Sequence, residues 1–449
     1  MINTINSTFW RGLYLITRKE KRNREKNVNY FFEFSKISKH FFKDMNERLK
    51  KVEDPRHQSY VTYGSELILF MMIMKNACNM NSMRNMTNQF NKDECIENMR
   101  KYFRVDTLEE LPHYDTINNF LGCLHPEELG EIRTYMIKQL FMKRCFEQFR
   151  VNGKFWGIII DGTGLFTFDE KHCEHCLRRE YTNEETGETK VIYMHHVLEA
   201  KLVVGDMVLS LDSEFIENES EDTPKQDCEL NAFYRLARRI KSTYKRLPIC
   251  ILGDSLYACN GVFQLCEEYN WKYLIRFKEG RIKSIINEFH VLKKMEDNKH
   301  LPEISWVNDI SYNVHAVNVL EYTPKKEKDA FPYTFISNIK VTKKNAQRLV
   351  GAGRSRWKIE NEGFNKQKNI IYNIEHANSH NYTAMKNHYL LTQITDILMQ
   401  LFEKGSKIVK SFKKTAKEIS SNLLEAIRTR ILTDEDIEHM VKPIQVRFT

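Results

Sequence analysis

Apolar residues recur at three- and four-residue spacing through "YGSELILFMMIMKNACNMNSMRNMTNQF" and "PEELGEIRTYMIKQLFMKRCFEQF", so residues 1–150 read mainly as helix. Between these stretches, "LPHYDTINNFLGCL" offers Asp115 as the N-cap of a short helix. That helix fits either a DNA-reading unit or ordinary packing. From about residue 153 the pattern changes. "FWGIIIDGT" reads as a buried strand, and "KVIYMHHVLEAKLVV" and "MVLSLDSEFI" read as two strands joined at Gly205-Asp206. A helix over 225–245, the strand "PICILGD", a short helix around 260–270 and the strand "WKYLIRF" follow. The predicted order is therefore three strands, helix, strand, helix, strand. Residues 300–340 turn strand-like again, and helix returns from about 345 to 404 and near the C-terminus. The chain shows no internal repeat and no low-complexity tract.

At 449 residues the chain suits two or three units. The run "LILFMMIM" falls far short of the roughly 20 apolar residues of a membrane span. The start carries no apolar stretch followed by a small-residue cleavage site, so no secretion signal is expected. Ten cysteines, scattered apart from one close pair, fit a reducing cytoplasmic compartment better than a disulfide scaffold. A net charge of +9 is compatible with a polyanionic partner without requiring one. Basic residues concentrate in 18–26, 238–246 and 404–417, each run fitting either a solvated face or a phosphate contact.

Two carboxylates follow aliphatic runs: Asp161 after "GIII" and Asp254 after "PICILG". Each alone reads as a turn residue. In the predicted order, however, the first and fourth strands can pair in parallel through a crossover. Asp161 and Asp254 would then stand side by side outside the carboxyl ends of the strands, where ligands tend to bind. A third candidate is Glu360 in "RSRWKIENEGFNKQK", where Trp357, Ile359 and Phe364 look like anchors of a helix packed on the sheet. Arg356–Glu360 and Glu362–Lys366 read equally well as helix ion pairs, worth only about 0.2–0.5 kcal/mol each.

Two Asp at strand ends with a Glu inside "RWxIE" resemble the DDE core of insertion-sequence transposases over roughly residues 110–375. The resemblance implies an α/β, ribonuclease-H-like mixed sheet flanked by helices. It is to the branch with a Tyr-x2-Arg-x3-Glu-x6-Lys pattern and a β-rich insertion before the Glu. Arg356 and Glu360 fit that pattern; Gly353 stands at its Tyr position and Gln367 at its Lys position, flanked by Lys366 and Lys368. The implied division is a helical N-terminal domain over 1–150 with possible end-DNA binding and a first core segment over 151–280. A β-rich insertion over 281–340, a helical completion of the core over 341–404 and a basic helical tail over 405–449 complete it. The implied activity is cutting at the inverted-repeat ends of a mobile element and joining 3′-hydroxyls to target DNA. A two-metal nuclease or resolvase of the same fold, and a catalytically silent DNA-binding relative, remain as alternatives.

Two unit charges about 4 Å apart cost about 4 kcal/mol at an effective dielectric near 20, so collected carboxylates call for cations. Hard oxygen donors point to Mg²⁺ or Mn²⁺, and two ions about 3.5–4 Å apart would flank a scissile phosphate. Asp161, Asp254 and Glu360 are the expected ligands, with Asp161 shared. Arg356 and Lys366 or Lys368 would hold phosphate oxygens, and Lys410, Lys413 and Lys414 would contact the backbone of double-stranded DNA. A homodimer in the DNA complex is expected. "HCEHC" and the later "HH" also allow zinc on Cys173 and Cys176 with His195 or His196, or a solvated hairpin with no metal.

Overall fold

The computed structural model describes residues 25–448 apart from 58, 60, 219–225, 279, 296–300 and 325–330. Among the described residues nine strands form one mixed sheet: β1 Trp156–Phe168, β2 Leu177–Thr182, β3 Thr189–Val204, β4 Met207–Ile216, β5 Ile249–Gly253, β6 Lys272–Arg276, β7 Ile304–Tyr312, β8 His315–Tyr322 and β9 Tyr333–Ser337. Their order is β2-β3-β1-β5-β6-β9-β8-β7, with β4 also pairing β3. β1, β5 and β6 are parallel, and β3, β4 and β9 run antiparallel to their neighbours. This is the ribonuclease-H-like α/β arrangement that the resemblance implies.

The predicted β3–β4 hairpin forms where expected. Gly205 takes φ +62°, the left-handed region that favours glycine, and Val204 pairs with Met207 across the turn. β2 was not expected. All but its first residue are exposed, so no alternation of apolar and polar positions marks it in the sequence.

Among the described residues of 281–340, the helix Lys283–Met295 precedes strands β7, β8 and β9, and because β9 pairs with β6 these strands extend the central sheet. The reason is local: Leu274, Ile275 and Arg276 of β6 pair with Ser337, Ile336 and Phe335, leaving no free edge between core and insertion. The helical stretch after residue 345 breaks into Ala346–Arg354, a wide π-type turn Ile359–Ile370 and the long helix Tyr382–Gly405. At the end of the wide segment, Ile371 N–H donates to the carbonyl of Lys366, five residues back.

Up to residue 150 the chain is helical among its described residues, as predicted. Asp115 is not the cap of helix Tyr114–Cys123; His113 holds that position and its Nδ1 accepts from Asp115 N–H at 3.4 Å. Helix Ser65–Ala77 is apolar on nearly every side because it is buried among its neighbours. One continuous core joins Phe31 and Phe34 of helix Tyr30–Phe41 to Phe402, Leu423 and the sheet residues Ile158 and Ile160. The opposite face of the sheet packs Ile159, Leu252 and Phe335 against Ile359 and Phe364.

In the C-terminal segment, helix Ala416–Thr429 folds back on the N-terminal helices, where the Asn98 side chain donates to the carbonyls of Ile427 and Arg430 at 2.9 and 2.7 Å and accepts from Leu432 N–H at 2.8 Å. Among the described residues no helix is long and apolar enough to cross a membrane.

Candidate active site

In the parallel ladder of β1 and β5, Trp156–Ile159 face Ile249–Leu252. Asp161 and Asp254 each stand two residues past the last pair, on neighbouring strands spaced about 4.8 Å apart. Asp161 does not end its strand: β1 continues to Phe168 against β3, with Asp161 opposite Glu199. It is the parallel ladder that ends there, because β3 provides a longer partner than β5.

Arg356 joins Asp161 to Glu360. Its Nη1 lies 3.5 Å from Asp161 Oδ2 and its Nη2 3.3 Å from Glu360 Oε1. Burial pushes the Asp161 carboxyl up to about 7; the Arg356 guanidinium opposes the shift, and the charges of Glu229, Glu360 and Asp254 add to it. Asp254 also performs the turn role open to it from sequence, accepting from Leu256 N–H at 2.7 Å. Among the described residues, no three of these carboxylates bring oxygens within 4.8 Å of one another.

Glu229 is the residue that sequence reasoning missed. It opens helix Glu229–Thr243, where an acidic side chain reads as a routine match to the helix dipole. The structure brings it to Asp161 and Asp254, and burial raises its pKa, partly opposed by the Tyr257 hydroxyl that donates to its Oε1 at 2.6 Å. The available signal was the glycine beside each aspartate. A Cβ on Gly162 would come within 2.7 Å of Glu229 Oε2, and one on Gly253 within 2.8 Å of Tyr257 Cδ2.

The family model for the transposase DDE domain matches residues 153–395, over half of the chain and the whole span carrying these carboxylates. The chain belongs to the DDE transposases. A second model, described as DDE_Tnp_1-associated, matches residues 46–135 in the helical segment ahead of the sheet. No curated protein matches the chain. Transposases of this family are metal-dependent enzymes that cut DNA.

The transposase departs from the motif pattern for steric reasons. A Cβ on Gly353 would lie 2.5 Å from Phe335 Cε1, so a tyrosine has no room there while Phe335 keeps its place. Gln367 is fully buried and donates to Gln393 Oε1 at 3.0 Å and Asp396 Oδ2 at 2.9 Å, which closes that position to a phosphate. Lys366 pairs with Glu403 of the long helix at 3.2 Å, both side chains largely buried. Lys368 is less enclosed and pairs with Glu375 at 2.7 Å.

Trp357 also differs from its expected role as a core anchor. It is 54% exposed, since Ile359 and Phe364 fill the space beneath the segment. With Arg276, Tyr333, Arg354, Arg356 and Lys358 it lines a cleft of about 420 Å³ beside the acidic group. Farther away, Lys410 and Lys413 are exposed, whereas Lys414 pairs with Glu25 at 3.0 Å and Glu418 at 3.4 Å. Of the basic run 18–26, all but Glu25 and Lys26 lie outside the described residues.

Proposed function

We propose that this transposase cuts both inverted-repeat ends of a mobile element and joins the freed 3′-hydroxyls to target DNA, with Asp161, Asp254 and Glu360 holding two Mg²⁺ or Mn²⁺ ions. The observation that carries this reading is that Arg356 bridges Asp161 and Glu360 while the charge of Asp254 also acts on Asp161, whose carboxyl is pushed up to about 7 by its surroundings. A carboxyl raised that far by burial and neighbouring acids gains its charged form when a divalent cation arrives. The donor set is hard oxygen throughout, which suits Mg²⁺ or Mn²⁺.

Bound there, the ions would activate the attacking water or 3′-hydroxyl and stabilise the leaving oxygen. The chain's own residues bind and orient. Arg356, released from its two carboxylates, is placed to hold a non-reacting phosphate oxygen through a charge-assisted bond. Lys368 remains the lysine of the motif region that can reach a backbone phosphate. Arg276, Arg354 and Lys358 continue the positive lining along the cleft, and Trp357 offers a flat face on which a base can stack. Two ends held at once call for two chains, hence a homodimer in the DNA complex.

The test is a strand-transfer assay on labelled element ends with Mg²⁺. Joined products are expected from the wild-type protein and none from Asp161→Ala, Asp254→Ala or Glu360→Ala. Cleavage without joining by the wild-type protein would instead make it a nuclease or resolvase of the same fold.

A further inference from the structure

The loop between β1 and β2 carries Cys173 and Cys176, and it folds back onto His195 of β3. The two Sγ atoms are 3.6 Å apart, and each lies 3.5 Å from His195 Nε2. A tetrahedral zinc ion with Zn–S near 2.3 Å and Zn–N near 2.05 Å has ligand-to-ligand edges of about 3.8 Å for S···S and about 3.6 Å for S···N. All three observed separations fall within about 0.2 Å of those edges. Among the described residues this is the one group of three or more His, Cys, Asp or Glu side chains whose ligand atoms lie within 4.8 Å of one another.

We propose that Cys173, Cys176 and His195 bind a structural zinc ion. His196, the alternative open from sequence, points to the other face of β3, close to Gly164. The His195 ring is held by Tyr382, with centroids 4.8 Å apart, and its Nδ1 has no hydrogen-bond partner, so Nε2 is the nitrogen presented to the sulfurs. The neighbouring His172 has a buried Nε2 without a hydrogen-bond partner but stacks on Phe168 outside this group, so the fourth corner is left to a water or to a rotation of that ring.

The site is separate from the carboxylates. His195 lies four positions along β3 from Glu199, the partner of Asp161, which is about 13 Å at roughly 3.3 Å per residue. Its place in the fold defines its role. Residues 189–195 of β3 pair with β1 and β2 beyond the end of the β4 ladder at His196, so this three-stranded ribbon projects past the β4 edge. Zinc at its base would fasten the β1–β2 loop to β3 and to the start of the long helix, where Tyr382 stacks on His175. Closed sites with thiolate and imidazole ligands contribute directly to folding stability.

The test uses the full chain, reconstituted with zinc and passed through a desalting column. Metal analysis is expected to find one tightly held zinc per chain in the wild-type protein and in Asp161→Asn, and none in the double variant Cys173→Ser/Cys176→Ser. Because loss of the metal can also unfold that variant, the wild-type protein is alkylated with iodoacetamide and mapped by mass spectrometry. Zinc should protect Cys173 and Cys176, and a strong chelator should expose them, while the exposed Cys123 and Cys228 react either way. Absence of retained zinc, or alkylation of Cys173 and Cys176 that is indifferent to the chelator, would overturn the assignment.

Discussion

At the scale of single residues, Asp161 concentrates the electrostatic tension of the site. Between its ordinary value of 3.8 and about 7, the folded chain keeps a proton that the unfolded chain releases. Stability of the metal-free protein therefore falls as pH rises through that window. Asp161→Asn removes the penalty and should stabilise the metal-free protein at pH 8 by up to about 4 kcal/mol, because each tenfold change in proton affinity is worth about 1.36 kcal/mol. Thermal denaturation at pH 5 and pH 8, with and without Mg²⁺, checks this. The variant should gain at pH 8 without metal, and Mg²⁺ should raise the melting temperature of the wild type only. Equal melting curves for the two proteins at pH 8 would remove the argument.

Glu229 offers a second test at this scale. Its charge is one of those raising Asp161, so Glu229→Gln should move the acidic limb of the cleavage pH profile to lower pH. A merely structural role would lower the rate without moving the profile. The choice of glutamate is also testable: Glu360→Ala should cut DNA orders of magnitude more slowly, whereas Glu362→Ala, whose side chain is exposed, should cut normally.

At the scale of elements, the pairing of β9 with β6 changes what deletion of the insertion should do. From sequence, 281–340 is a module that can be removed to leave a folded core. In the structure its removal takes away β9, whose Phe335 and Ile336 are buried on opposite faces of the sheet. Exposing Ile275 and Leu274 to solvent at the new edge should abolish the cooperative melting transition, which circular dichroism would report. A folded deletion protein would show that the extension is dispensable to the sheet. Trp357 is the opposite case. Since it is exposed, Trp357→Ala should change stability by no more than about 0.5 kcal/mol while weakening DNA binding, as loss of a stacked base costs about 1–3 kcal/mol.

At the scale of the whole molecule, one core is shared by the N-terminal helices, the sheet and the C-terminal helices, including Val409 beside the lysines of 410–414. Removing charge from Lys410, Lys413 and Lys414 together should weaken binding to all sequences alike. It should also flatten the slope of log affinity against log salt by about 0.9 per lost phosphate contact. The exposed Lys413 should account for more of the change than Lys414, which is already paired with Glu25 and Glu418. A salt titration of the single variants separates the three, and an unchanged slope in the triple variant would place the DNA elsewhere.

Local pattern determined much of this protein. Alternating and continuous apolar runs marked β1, β3, β4, β5 and β6, and their order was enough to imply the parallel β1–β5 pair and the approach of Asp161 to Asp254. The pattern was silent wherever a decision depended on a partner distant in sequence. β2 exists because β3 offers it a ladder, not because its own exposed residues call for a strand. Trp357 and Lys366 look alike in sequence as flanking residues of a helix, yet one faces solvent and the other is sealed against Glu403, since only the packed neighbours decide which side of a turn is inside. Glu229 and His195 gained their places in the same way. Each is chemically ordinary alone, and it is the crossing of β1 with a helix or a neighbouring strand that sets them within reach of Asp161 in one case and of two thiols in the other.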